Sequence, residues 1–337
     1  MHVGLVYDLR DDYLARGFSV EAVAEFDTQE TIDGIAGGLE RAGCTVERVG
    51  NGRALAERFT RGERFDLVFS IAEGLTGRNR EAQVSGLCEL YDQPYVFSDT
   101  LTLCVALDKA MAKRVVREAG VPTSDFVLLE SAADAASVRM AFPLFVKPNA
   151  EGTGKGCEAA SRVSDHAGLE AAARQLIQRF NQPVIVEPWL PGREFTVGIT
   201  GTGRDARVIG TMEICLLEDP DHGVYSLLNK EEWESRVQYR LATGREADEA
   251  AAVGLAAYQA LGCRDGGRID LRCDAQGRAL FMEANPLAGL HPTHSDLPII
   301  AALSGYGYDR LMADILGSAA TRAGLAVPAA VSRAANG

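Results

Sequence analysis

The segment RIDLRCDAQGRALFMEANP, from Arg268 to Pro286, sets three hard oxygen ligands on two apolar runs. Asp270 falls near the end of the first run. Glu283 and Asn285 fall near the end of the second, with turn-forming residues Asp274 to Gly277 between them. Two antiparallel strands joined by such a turn bring facing side chains within about 5 Å. An oxygen-only set with incomplete coordination suits Mg2+, which completes its shell with water and phosphate oxygens. The same segment also reads as a hairpin whose carboxylates merely face solvent, so its context must decide.

Upstream, FPLFVKPNAEGTGKG reads as a buried strand delivering Lys147, followed by a glycine-rich loop from Glu151 to Gly156 that contains Gly152, Thr153 and Gly154. Successive N–H groups in such a loop form an anion-binding concavity, glycines permit close approach, and lysine adds point charge for phosphate. It is not a Walker A motif, because Asn149 stands at the first glycine and Gly156 where Ser or Thr is required. Next, VIVEPWLPGREFTVGI carries Glu187, a proline-bounded crossover with Trp189 and Leu190, and then Glu194. It reads equally as two core strands or as an apolar hinge whose backbone meets an adenine edge, with a carboxylate for ribose hydroxyls.

In this order the motifs resemble the ATP-grasp superfamily, and most closely the D-alanine–D-alanine ligase family, from about Phe65 to Leu316. The resemblance implies an α/β fold, with an N-terminal parallel-sheet, Rossmann-like domain before a two-part ATP-grasp fold. It implies ATP and Mg2+, two ions, as cofactors. Lys109 in LDKAMAK and Lys147 would hold nucleotide phosphates, Glu187 would sit at the hinge, and Glu194 at the ribose. Lys230 would belong to a mobile loop over the active site. Asp270, Glu283 and Asn285 match the metal ligands, Arg268 matches an arginine that stabilises charge at the reacting centre, and Ser295 matches a serine that recognises substrate carboxylate. Gly289 and His294 bracket that last segment, one residue longer here than the family pattern.

The departures fall in the amino-acid pockets. In IAEGLTGRNRE, Glu73 occupies a position where the D-alanine enzymes carry histidine, and Arg78 and Arg80 follow. A glutamate that holds an amino group after the first strand has only Asp8, Asp11 and Asp12 as ambiguous substitutes; the loop serine is Thr153, and the tyrosine after Lys230 is Glu231. Glu73 and Arg80 are therefore expected to contact an amino-acid or peptide-like substrate, and D-alanine with D-alanine to be a poor pair. The resemblance implies an ATP-dependent carboxylate–amine ligase acting through an acyl phosphate. Two alternatives stay open: an authentic D-alanine–D-alanine ligase, and a nucleotide-binding regulator without turnover.

Composition agrees. The 337 residues suit two or three modules, read here as residues 1–98, 99–187 and 188–318 with a frayed tail at 319–337. A net charge of -13 argues against a nucleic-acid or anionic-membrane surface, which leaves small-molecule acid and amine substrates as partners. Family members often dimerise, so the resemblance admits a homodimer. Seven scattered cysteines without a CxxC pair read as core residues in a reducing compartment, and no apolar run reaches about 20 residues, so a cytoplasmic location is expected.

Periodicity predicts parallel strands at HVGLVY, TVERV, DLVFSI and PYVFS, with helices from Thr28 to Ala42 and Arg80 to Tyr91 between them. Asp8 and Glu73 then fall at the carboxyl ends of strands, where ligands bind. Further helices are expected at Asp108 to Ala119, Asp165 to Phe180, Glu246 to Leu261 and Tyr308 to Leu316. The polar stretch from Glu218 to Arg245 is too long for a plain connector and reads either as a mobile surface insertion or as a lid, and the resemblance to the family's closing loop implies the lid.

Overall fold

The computed structural model describes residues 1–217 and 236–334. Three parallel strands open the chain: β1 (His2–Val6), β2 (Thr45–Gly50) and β3 (Leu67–Ser70), in the order β2-β1-β3. The helix Gln29–Arg41 begins at Thr28, whose side chain accepts the Thr31 N–H. Its Ile32, Ile35 and Leu39 fall on one face and join Val3 and Leu5 in a common core. PYVFS, expected as a fourth strand, meets β3 only at a bridge between Tyr95 and Val68. The cause is Phe97, which turns to a φ of 75° and donates its N–H to Asp265 at 2.9 Å.

Two antiparallel sheets follow. The first holds β4 (Val127–Leu129), β5 (Leu144–Pro148), β6 (Arg162–Val163) and β7 (Val184–Pro188) in the order β4-β7-β5-β6. The second holds β8 (Glu194–Thr200), β9 (Arg207–Leu216), β10 (Val237–Leu241), β11 (Gly266–Cys273) and β12 (Ala279–Asn285) in the order β10-β9-β8-β11-β12. The glycine-rich loop leaves the end of β5. The β11–β12 hairpin carries the oxygen ligands.

Three expectations need correction. A helix at Thr100–Leu107 precedes Lys109–Glu118; its uniformly apolar TLTLCVAL has no polar face to mark a helical period. The closing helix runs Tyr308–Arg322 and fully buries Ala319 and Ala320, and Val331 is also buried, so the tail is packed well beyond Leu316. Its alanines gave little periodic signal yet allow close approach. Finally, most of the expected lid, with His222 and Lys230, lies outside the described residues, and its distal part is β10 and the start of the helix Arg245–Ala260.

The closing helices share one core with the N-terminal module, joining Met312, Ile315 and Leu316 to Val3 and Leu5. A polar hub lies in the same seam. Asp265 is 0% exposed, accepts from Phe97 N–H, from Thr202 Oγ1 at 3.0 Å and from Ser318 Oγ at 2.9 Å, and pairs with Arg322 at 2.6 Å. Arg322 also donates to the Tyr95 carbonyl at 2.8 Å. All seven cysteines are free, and among the described residues no helix is long and apolar enough to cross a membrane.

Candidate active site

Hairpin register sets Asp270 opposite Glu283 and Arg268 opposite Asn285, with a bulge after Asp270. Such bulges re-aim side chains beside functional sites. Asn285 Nδ2 donates to Asp270 Oδ2 at 3.1 Å, and Arg268 Nη1 meets the same oxygen at 2.5 Å and Asp296 Oδ2 at 3.3 Å. Lys109 Nζ lies 3.1 Å from Glu283 Oε2. Among the described residues no group of three His, Cys, Asp or Glu side chains could hold a metal. A cation here would use two carboxylates and the Asn285 amide oxygen, a hard and incomplete set that fits Mg2+ completed by water and phosphate.

Lys147 reaches the cleft from β5, but its ammonium meets Glu187 Oε2 at 2.9 Å. Glu187, 2% exposed, also takes Lys113 Nζ at 2.5 Å and the Ser124 hydroxyl at 2.8 Å. Burial works to raise its pKa, yet the two ammonium groups hold it down at about 2. Whatever Glu187 does at the hinge, its carboxylate compensates two buried lysines. Lys113 was missed, although it follows Lys109 by one helical turn in LDKAMAK, the spacing that puts two side chains on one face.

The glycine-rich loop already holds an anion of its own. Gly152 N–H donates to Glu25 Oε1 at 2.8 Å, and Glu25 Oε2 lies 3.3 Å from Lys155 and 3.4 Å from Arg80. Burial favours the neutral acid, but Arg80 and Lys155 hold Glu25 below the usual carboxylate range. A Cβ on Gly152 would come within 2.7 Å of that carboxylate, and one on Gly156, at φ +71°, within 2.7 Å of Pro148. Arg80, expected at the substrate, lines neither cavity of the cleft. Its guanidinium is buried against Glu25, Glu151 and the Ala150 carbonyl, and Arg78 pairs with Asp108 at 2.8 Å.

Two cavities meet at this point. The larger, of about 600 Å³, is lined by Glu73, Gly152, Thr153, Asn285, Gly289, His294 and Ser295 among the expected residues. The smaller, of about 90 Å³, is lined by Lys147, Gly154, Glu194 and Asp270. Lys109, Glu151, Arg268 and Glu283 line both. Trp189 and Leu190 line neither; Trp189 is sandwiched by Arg162 and Arg272 at 4.9 and 4.5 Å, and Leu190 is buried. Asp8, offered as an amino-group ligand, instead accepts from Tyr13 and Gly74, and Asp11 and Asp12 line neither cavity. Of the acids that line the larger cavity, sequence reasoning missed Glu25, Asp27, Glu30, Glu81 and Asp296. The signal was AEFDT, an acidic run just before a helix cap.

Burial pushes the Asp27 carboxyl up to about 7. Burial and then the neighbouring Glu25 do the same to Glu81, also to about 7, and burial with Glu81 raises Glu73 well above the carboxylate range. A carboxyl raised on folding adds stability below its unfolded pKa and loses it as pH rises through its folded one. Glu81→Gln should therefore raise Tm at pH 8 while leaving it nearly unchanged at pH 4. An equal gain at both pH values in calorimetry would mean that charge is not the cause.

A family model described as the D-ala D-ala ligase C-terminus matches residues 115–317. A D-alanine–D-alanine ligase of Bordetella petrii is 33% identical over 276 residues, covering 80% of each chain. Another, of Methylibium petroleiphilum, is 35% identical over 257 residues, covering 73% of this chain and 77% of the relative. Among solved structures, the Bacillus anthracis D-alanine–D-alanine ligase complexed with ATP matches with a TM-score of 0.71 at 20% identity, over 96% of this chain and 99% of that one. The VanG D-Ala:D-Ser ligase of Enterococcus faecalis matches with a TM-score of 0.71 at 18% identity, over 94% and 99%. These two share the fold.

Proposed function

The chain belongs to the D-alanine–D-alanine ligase family, and from that premise we propose how its residues form an amide bond. It is an ATP-dependent carboxylate–amine ligase. ATP phosphorylates the acid substrate, whose carboxylate oxygen takes the γ-phosphoryl while ADP leaves. The amine nitrogen then attacks the acyl carbon and phosphate departs, with one proton released from the amine.

The observation that carries this reading is the junction of the two cavities at Lys109, Glu151, Arg268 and Glu283. A nucleotide in the smaller space, with Lys147 near its phosphates and Glu194 near its ribose, would direct its γ-phosphate at that junction, and an acid in the larger space would meet it there. Mg2+, held by Asp270, Glu283 and Asn285, would supply charge neutralisation to the phosphates. Arg268 stabilises the oxyanion and the transferred phosphoryl, an electrostatic role of several kcal/mol in a dry site. Lys109 adds positive charge at the shared wall, while Lys230 lies outside the described residues. Ser295 and His294 face the substrate side. A cytoplasmic location fits an enzyme that consumes ATP.

D-alanine with D-alanine is a poor pair on this reading, because Glu73 offers no imidazole and no guanidinium among the described residues of the larger wall is left for a carboxylate except Arg10 and Arg268. Phosphate release with that pair should be at least about tenfold below the best amino-acid pair in a panel of acids and amines at saturating ATP. Efficient D-alanyl-D-alanine synthesis would overturn the substrate assignment.

A further inference from the structure

The larger cavity is walled by more carboxylates than basic groups, and most of those carboxylates are neutralised internally. Glu25 has Arg80 and Lys155, Glu283 has Lys109, Asp296 has Arg268, and Glu151 has Lys155. Asp27, Glu73 and Glu81 form no ion pair among the described residues, and all three line the cavity. They arrive from separate places: Asp27 from the segment before the helix Gln29–Arg41, Glu73 from the loop after β3, and Glu81 from the turn that follows it.

Resting on the ligase reading of this site, we propose that the cavity selects a substrate with a second positive charge beyond its α-amino group, a diamino or guanidino amino acid. One internally compensated carboxylate, Glu25, is enough to meet an α-amino group; three more outside any ion pair are not needed for alanine. Placing a neutral side chain among them leaves the cost of ionising them, repulsion and desolvation, in place. An ammonium or guanidinium among them relieves both, and makes charge-assisted hydrogen bonds in a partly water-excluded space. A carboxylate side chain meets the same wall with repulsion. A cavity of about 600 Å³ has room for the cationic side chain.

The test is titration calorimetry of the full-length protein with Mg2+ and a non-hydrolysable ATP analogue. The probes are ornithine and its neutral counterpart norvaline, each as both enantiomers. At least one ornithine enantiomer should bind about tenfold or more tightly than the matching norvaline, and that gap should collapse in Glu81→Gln and in Asp27→Asn. Equal binding of ornithine and norvaline, or a gap unaffected in both variants, overturns the proposal. Mass spectrometry of parallel mixtures with ATP keeps the two readings apart. Ornithine preference without amide product from any acid and amine would support the charged wall and remove the ligase reading. Amide formation from neutral amino acids without ornithine preference would do the reverse.

Discussion

Lys147→Met should abolish amide formation, lowering kcat/KM at least about a hundredfold, with nucleotide affinity falling alongside. Charge grows on the phosphoryl oxygens during transfer, and one buried positive donor at such a site is worth roughly 10²–10³ in rate. Glu187 and then Glu283 raise the pKa of Lys147 despite its burial, so it stays cationic throughout the working range. Methionine keeps the aliphatic stem packed and removes only the charge. Glu283→Gln should produce a comparable loss by another route: nucleotide affinity without metal barely changes, while the Mg2+-dependent part weakens. Single-turnover phosphate release and nucleotide titrations with and without Mg2+ separate the two. Near-normal turnover in either variant would remove this junction from the mechanism.

The second large effect concerns stability. Glu187→Ala leaves the ammonium groups of Lys113 and Lys147 buried with no carboxylate between them. Removing one partner of a buried ion pair costs about 3–5 kcal/mol, a large share of the stability of a typical domain. Denaturant unfolding should show that loss at pH 7. It should also show that wild-type stability declines as pH falls from about 4.5 towards 2, because a carboxyl held low on folding loses its contribution as it protonates. The variant should show a shallower acid-limb decline, because Glu25, also held low, keeps its own share. A variant as stable as wild type, with the decline intact, would mean that Glu187 is not the compensating charge.

These two sets of residues show what was legible in the chain. Lys147 and Glu283 lie on short apolar strands next to turn residues, and that local pattern is enough to locate them. The β11–β12 hairpin is also local, since Asp270 and Glu283 come from one turn. Partnership across the chain is not local. Glu25 and Gly152 are 127 positions apart, and no periodicity announces that one will cap the other. The same distance problem hid the partners of Arg80, which are Glu25 and Glu151. It also hid Lys113 as a partner of Glu187.

The seam around Asp265 has an evolutionary consequence. At this hub the N-terminal module contributes main-chain groups, namely the Phe97 N–H and the Tyr95 carbonyl, while the side chains belong to Asp265, Thr202, Ser318 and Arg322. Main-chain groups survive any substitution that preserves the turn at Phe97. Recombination between relatives can therefore exchange the segment that carries Asp27, Glu73 and Glu81 without re-evolving this hub, provided that Glu25 and Arg80 still meet Lys155 and Glu151. Substrate preference could then diverge in one module while the nucleotide chemistry of the other two is inherited unchanged.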